Sequence, residues 1–228
     1  MKTNYINIIA PIADHALNQG IYSRHDKVLT QAIKTAGYYE RTFERVSLSY
    51  YDDETEENEA IAILLMLLAS QIRRAYIEGL REAGHDPNHM TGAMYAEIDA
   101  AIASESAHVY GLIDDIKKAK EAGEPFAPFT SRIETWANRF KDLVNRGILA
   151  GAVFLSLNVV WNVGPTEHCV TCVALDQTVA TALQWQLSGY RPQHPPNTLL
   201  DCGGWRCQCS LSPTTASATI PADGIIRV

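Results

Sequence analysis

The chain of 228 residues has no cysteine before Cys169, and all five of its cysteines lie between that residue and Cys209. It is also short of basic residues: 19 Lys and Arg stand against 26 Asp and Glu, which gives a formal net charge of −7. That balance argues against a protein that coats nucleic acid, because phosphate binding needs clustered cations. Five cysteines cannot all pair within one chain, which weakens an interpretation as a disulfide-stabilised secreted protein.

Long apolar runs are missing as well. The runs at 60–69 and 147–163 fall short of the roughly 20 residues that cross a bilayer, and the second contains Ser156, Asn158 and Asn162. Residues 1–13 are too short and too interrupted for a secretory signal. We therefore expect a protein made in the cytoplasm, with no membrane partner. The run at 60–69 predicts a helix that is buried nearly all round.

The motifs of common catalytic sites are absent too. The sequence contains no G-x-x-x-x-G-K-[ST] loop, no G-x-G-x-x-G and no H-E-x-x-H. The H-x-E element of zinc deaminases is also missing. These absences predict a protein that is not an enzyme. A metal-dependent hydrolase stays open as an alternative, and it would need Glu167 or Asp176 beside an open metal position.

The residues that are present predict a mainly α protein, in which a helical body precedes a small cysteine-rich α+β module. The apolar periodicity predicts helices at 22–46, 59–83 and 91–122, the last capped by Thr91. A fourth helix is expected after Pro128, with Thr130 or Ser131 as its cap, and ends near Arg146. A helix near 179–187 and short strands are expected among the cysteines. The predicted division is an arm at 1–20, a helical domain at 21–160, a cysteine module at 161–213 and an extended tail at 214–228.

Between the first two helices lies an acidic run, with six Asp and Glu residues in positions 50–59. We interpret it as a solvated loop whose last acids complement the N-terminal dipole of the next helix.

The cysteines form two sets with metal-ligand spacing. His168-Cys169-x-x-Cys172 supplies one pair, and Cys202-Gly-Gly-Trp-Arg-Cys207-Gln-Cys209 returns three sulfurs about 30 residues later. We expect a structural zinc ion held by Cys169, Cys172, Cys202 and Cys207, with Cys209 or His168 as a substitute ligand. Buried free thiols and one or two disulfides remain as alternatives.

The flanks of these cysteines resemble a known family. The segment from Trp161 through His168, Leu175 and Asp176, and then from Cys202 to Pro213, is similar to the C-terminal region of tailed-phage minor head proteins of the Mu F-like head-morphogenesis family. That family has a His, then a Leu-Asp-Gly segment, and then a Cys-Arg-Cys-x-Leu-x-Pro ending. Here Gln177 stands where the family often has Gly, and Gln208 where it often has Arg.

The resemblance implies a virion protein of the head and portal region, present in several copies per virion and made in the cytoplasm of the bacterial host. Its expected partners are the portal and other capsid proteins, and it would assist head morphogenesis and the packaging or delivery of DNA. The first positions to test for contact with packaged DNA are four cations: Arg132, Arg139, Lys141 and Arg146. A zinc-module nucleic-acid-binding protein is the alternative of a different class.

Overall fold

The computed structural model of the protein describes residues 36–138, 140–164, 167–205 and 207–227. In this part of the chain the fold is mainly helical, with a small strand-containing region at the C-terminal side, as the sequence predicts. The helices are α1 (Ala36–Tyr51), α2 (Glu57–Glu82), α3 (Gly92–Glu121), α4 (Ala127–Asn138), α5 (Phe140–Phe154), α6 (Val170–Leu175) and α7 (Ala182–Ser188). The strands are β1 (Asn158–Asn162), β2 (Val179–Thr181) and β3 (Ser210–Thr214), and a 3₁₀ turn covers Pro87–His89. The expected arm at 1–20 and the start of the expected first helix lie outside the described residues.

The ends of α2 and α3 follow from local chemistry. Gly84 and Gly123 adopt left-handed backbone conformations, with φ of 84° and 70°, just beyond the last turns of these helices, and glycine reaches this region without steric cost. At the start of α3, the Thr91 hydroxyl accepts a hydrogen bond from the Met94 amide at 3.3 Å. The predicted boundaries of both helices are therefore confirmed to within a few residues.

Only part of the acidic run at 50–59 forms a loop, because its two ends belong to helices. Helix α1 continues to Tyr51, so only residues 52–56 form the turn. Glu57 and Glu59 lie in the first turn of α2, where acidic side chains complement the helix dipole. Glu57 also forms an ion pair with Lys117 at 2.8 Å.

The helix predicted from Thr130 to about Arg146 is helical at every described position. The structure describes α4 from Ala127 to Asn138 and α5 from Phe140 to Phe154, and residue 139 between them lies outside the described residues. The helical region therefore begins three residues before Thr130 and continues past Arg146 to Phe154. Pro128 is the second residue of α4, a position where its missing amide hydrogen costs nothing because the first turn has no internal acceptor for it. A proline that suggests a boundary can thus lie just inside a helix.

Helix α2 is buried on one face rather than nearly all round. Ala60, Leu64 and Leu68 are fully buried, whereas Met66 is 52% exposed. Among the described residues, α2 is the one helix long and apolar enough to cross a membrane, with 44% of its most apolar window buried. A core helix of a soluble protein satisfies the same criteria, so this property alone does not assign a location.

The chain divides into two compact units. The first contains the described residues up to Gln71 together with Asp99–Glu134, and the second contains Ile72–Ile98 and Thr135–Val228. In the first unit the rings of Tyr39 and Phe43 pack at 5.4 Å between centroids. The division expected from the sequence, at residue 160, falls inside β1.

In the second unit, α2 and α5 touch backbone to backbone at two glycines. A Cβ atom on Gly79 would lie 2.0 Å from the Val144 carbonyl oxygen, and one on Gly147 would lie 2.1 Å from the Tyr76 carbonyl oxygen. Because any larger residue would push the helices apart, this crossing fixes α5 closely. Helix α5 in turn carries residues that reach the cysteine module.

The strands of the second unit form one antiparallel sheet in the order β2-β1-β3. Asn158 pairs with Thr181 of β2 and with Thr214 of β3. The Trp161 and Trp185 rings lie 5.6 Å apart, both fully buried, and the Trp185 indole donates to the Val159 carbonyl at 2.8 Å. Their core is shared with α5, since it also includes Ile148, Leu149, Ala152, Cys172, Leu175, Cys209 and Leu211.

The helix expected at 179–187 begins three residues later, because 179–181 form β2. Thr181 caps α7 through a capping box with Gln184. The stretch after β3 is irregular, as expected of the tail, but it is fastened to the module: the Thr219 amide donates to the Val179 carbonyl at 2.8 Å, and Ile226 is buried.

Candidate metal centre

All five cysteines are free thiols, and the fold gathers their sulfurs into two overlapping groups. The first group is Cys169, Cys172 and Cys202, and the second group is Cys172, Cys207 and Cys209. Within each group every pair of sulfurs lies within 4.8 Å. Cys172 belongs to both, so it is the hub of the site. These cysteine clusters can hold a metal ion, and soft thiolate ligands select ions such as zinc.

The C-x-x-C pair is shaped by the start of α6. Cys169 is the N-cap of this helix, and its sulfur accepts a hydrogen bond from the Cys172 amide at 3.4 Å. Cys172 therefore lies in the first turn of α6, and its sulfur lies in the same group as the Cys169 sulfur. It is only 1% exposed.

Cys202 enters from a tight turn that depends on two glycines. Gly203 and Gly204 have φ of 61° and 78°, and a Cβ atom on Gly204 would come within 2.8 Å of the His194 carbonyl group. Asp201 ties this turn to the C-x-x-C arm, because its carboxylate accepts hydrogen bonds from the Thr171 amide at 3.0 Å and the Thr171 hydroxyl at 2.6 Å. The arms that carry the first group are thus joined by a hydrogen-bonded link beside the sulfurs.

Cys207 and Cys209 are positioned by the sheet. They immediately precede β3, which pairs with β1 from Ser210 onward, and Cys209 is fully buried. Gly164, just after β1, lies so close to Gln208 that a Cβ atom on the glycine would meet the Gln208 carbonyl oxygen at 2.5 Å. As expected from their spacing, both sulfurs face the same partner, Cys172.

His168 also belongs to this site. Its Nε2 lies 2.7 Å from the Gly164 carbonyl oxygen, and its Nδ1 lies 3.6 Å from Cys209 Sγ. A carbonyl oxygen can only accept, so Nε2 carries the hydrogen and the lone pair of Nδ1 faces the sulfur. This is how metal-binding histidines are oriented by a carbonyl behind them.

The sulfurs share protons unevenly. Hydrogen bonds from Cys172 and Cys209 lower the pKa of Cys207, although burial opposes this. The same hydrogen bonding, together with burial, raises the pKa of Cys172. Burial also disfavours ionisation of Cys169, but hydrogen bonds from Cys172 and Cys202 outweigh it and lower its pKa. Thiolate is the form that binds metal, so a lowered pKa at Cys207 and Cys169 favours metal binding there.

Sequence patterns missed a polar network that holds the loop before Cys202. The Nδ1–H of His194 donates to the Asp142 carboxylate of α5 at 2.8 Å, and Arg191 donates to its Nε2 at 3.0 Å. Asn145, one turn further along α5, accepts a hydrogen bond from the Leu211 amide of β3 at 3.0 Å. Asp142 and Asn145 are polar residues in an otherwise apolar helix face. That contrast is the feature of the sequence that could have indicated this network.

Two of the four basic positions proposed for DNA contact already have acidic neighbours. Arg132 pairs with Asp115 at 2.5 Å, and Arg146 pairs with Glu97 at 2.8 Å. Lys141 is exposed, and Arg139 lies outside the described residues.

The carboxylates considered for a hydrolase are placed elsewhere. Asp176 accepts a hydrogen bond from the Val163 amide at 3.1 Å, and Glu167 is exposed. Neither joins the cysteine groups found among the described residues.

No family model, no curated protein and no solved structure matches this chain significantly. The function is therefore proposed from the residues and the site themselves.

Proposed function

We propose that the protein is a minor head protein of a tailed phage, bound at the portal and assisting head morphogenesis and the packaging or delivery of DNA. One observation carries the proposal: the residues that resemble the Mu F-like family are those that build the module. Trp161, Leu175 and Leu211 are fully buried in one core with Cys172 and Cys209. A module assembled in this way has the character of a structural unit.

The zinc ion of this proposal is a structural staple. The module is small and poor in charge, and it joins segments that are far apart in the sequence: the C-x-x-C arm, the Cys202 turn and the start of β3. Metal held by thiolates from these arms supplies binding free energy directly to folding. The helical body would then carry the surfaces that contact the portal and other capsid proteins.

One of the two positions that depart from the family pattern, Gln177, fits the same interpretation. Gln177 has a φ of 58°, which is a conformation that glycine adopts most readily. The fold thus places a left-handed residue where the family often has Gly, after the Leu-Asp pair. A left-handed backbone at this position supports the proposed resemblance.

The role in the virion is tested by complementation. A phage that carries this gene would be deleted for it and supplied with a tagged copy in trans, and purified heads and a portal pull-down would be analysed. We expect the tagged chain in heads at low copy and in the portal fraction. Normal heads and normal infectivity without the gene would contradict the proposal.

The staple is tested separately on the purified chain under reducing conditions. We expect zinc to copurify and its removal by a chelator to unfold the module, which the buried Trp161 and Trp185 report by a red shift in fluorescence. Cys172→Ser should lose the metal, whereas Ser188→Ala, in the same module but outside the sulfur groups, should retain it. If the metal-free chain shows no red shift, the proposed structural role of the metal is wrong. The proposed virion role would still be decided by the complementation test.

A further inference from the structure

The sulfurs do not surround a single point. One zinc ion in a tetrahedral thiolate site has Zn–S bonds of about 2.3 Å, which puts its four sulfurs about 3.8 Å from one another. Here two groups of three satisfy a limit of 4.8 Å, and among the described residues they do not merge into a group of four. The quartet expected from the sequence, which takes Cys207 together with the whole first group, is therefore divided between the two groups.

The two groups share Cys172 Sγ, and thiolate sulfur is able to bridge two metal ions. We propose that the site holds two thiophilic divalent ions, zinc in the cell, bridged by Cys172: one on Cys169, Cys172 and Cys202, and the other on Cys172, Cys207, Cys209 and His168. The inference rests on the proposed metal staple and specifies its composition.

The second ion has the three sulfurs of its own group, and His168 approaches that group from the side of Cys209. His168 is not within 4.8 Å of all three sulfurs, so its ring would have to move toward them to become the fourth ligand. With Zn–S of about 2.3 Å and Zn–N of about 2.0–2.1 Å, a bound sulfur and nitrogen are about 3.6 Å apart. Cys209 Sγ and His168 Nδ1 are separated by 3.6 Å. The Gly164 carbonyl behind the ring holds the tautomer that exposes Nδ1 to the ion.

The first ion has the three sulfurs of its own group, Cys169, Cys172 and Cys202. Among the described residues no further His, Cys, Asp or Glu offers a ligand atom within 4.8 Å of all three sulfurs. The fourth position of this ion would therefore be left to solvent.

Charge also favours two ions. One dication bound by four thiolates retains two excess negative charges, whereas two dications with five thiolates and a neutral imidazole retain about one. Cys172 and Cys209 are fully buried, and unbalanced charge is costly in such a place. The second ion therefore reduces the charge that the core must hold.

The experiment counts ions on the full chain. Native mass spectrometry of protein purified from zinc-supplemented cells, kept reduced, should show about two zinc ions per chain. Replacement by cadmium-113 should give two resonances split by coupling through the shared sulfur. One ion per chain would overturn this inference and leave the staple, no ion would overturn both, and two uncoupled resonances would overturn the bridge.

Paired variants of the same C-x-x-C arm provide the second measurement. Cys169→Ala should retain one ion, because the second group is untouched, and Cys172→Ala should lose both. Equal losses in the two variants would count against a shared sulfur. Because a variant can fail to fold, the cadmium spectrum of the unsubstituted chain decides the matter independently.

Discussion

The imidazole of His194 donates a hydrogen bond to the Asp142 carboxylate at 2.8 Å, and so links the loop before Cys202 to helix α5. Asp142 is buried, and its second carboxylate oxygen has no hydrogen-bond partner among the described residues. The carboxylate therefore depends on His194 for its principal contact. This link supports the turn that carries Cys202 without contributing a metal ligand.

Replacing His194 by Ala should lower the free energy of unfolding by about 1–3 kcal/mol, because it leaves a buried acceptor without its donor. Urea unfolding of the metal-loaded chain measures the change. His89→Ala is the matched control, since His89 contacts Asp86 only at an exposed site, and it should change stability by less than about 0.5 kcal/mol. Similar losses of unfolding free energy in the two variants would show that the His194–Asp142 contact contributes no more to stability than the exposed His89–Asp86 contact.

Gly204→Ala should be much more damaging than Gly123→Ala. Both glycines have positive φ, so each substitution costs about 1–2 kcal/mol of backbone strain. A Cβ on Gly123 meets nothing within 4 Å, whereas one on Gly204 meets the His194 carbonyl at 2.8 Å, which adds about 1–3 kcal/mol. Gly204→Ala should also reduce metal content, as measured by elemental analysis. If Gly204→Ala and Gly123→Ala contain the same amount of metal, the conformation of the Gly204 turn does not affect metal binding.

Gln177→Gly should stabilise the protein by about 0.5–1 kcal/mol, because it relieves a non-glycine residue at positive φ at an exposed position. Gln193 also has a positive φ, of 61°, but it is buried and accepts a hydrogen bond from Asn145. Gln193→Gly should therefore give no gain. Thermal unfolding distinguishes the two, and a loss of stability in Gln177→Gly would mean that its side chain matters more than its backbone.

Alkaline pH should weaken the second unit through Tyr76. Burial and the hydrogen bond to Glu97 raise its pKa well above the ordinary value. The unfolded chain releases this proton first, so the contribution of Tyr76 is full below about pH 10 and is lost as pH rises further.

Unfolding curves between about pH 8 and 11 test this dependence. Tyr76→Phe should lose less stability over that range than the unsubstituted chain, and the exposed Tyr95→Phe should behave like the unsubstituted chain. Identical slopes for all three would mean that another group controls the alkaline limit.

The sequence was informative where a single local signal decided the structure. Thr91 and Gly84 marked helix ends correctly, and the cysteine spacing pointed to a common site. It was less informative where distant segments meet: nothing local to His194 indicates that Asp142 lies beside it. The division of the sulfurs into two groups has the same origin, because the positions of Cys207 and Cys209 depend on how β3 pairs with β1.

The placement of β1 in the middle of the sheet affects the order of events during synthesis. β1 leaves the ribosome first, β2 follows about 20 residues later, and β3 arrives with Cys207 and Cys209 only about 50 residues after β1. Until then the edge of β1 that pairs with β3 is open, and open strand edges are where chains associate wrongly. The interval between the arrival of Cys172 and that of Cys209 is therefore the period in which the nascent chain is most open to wrong association.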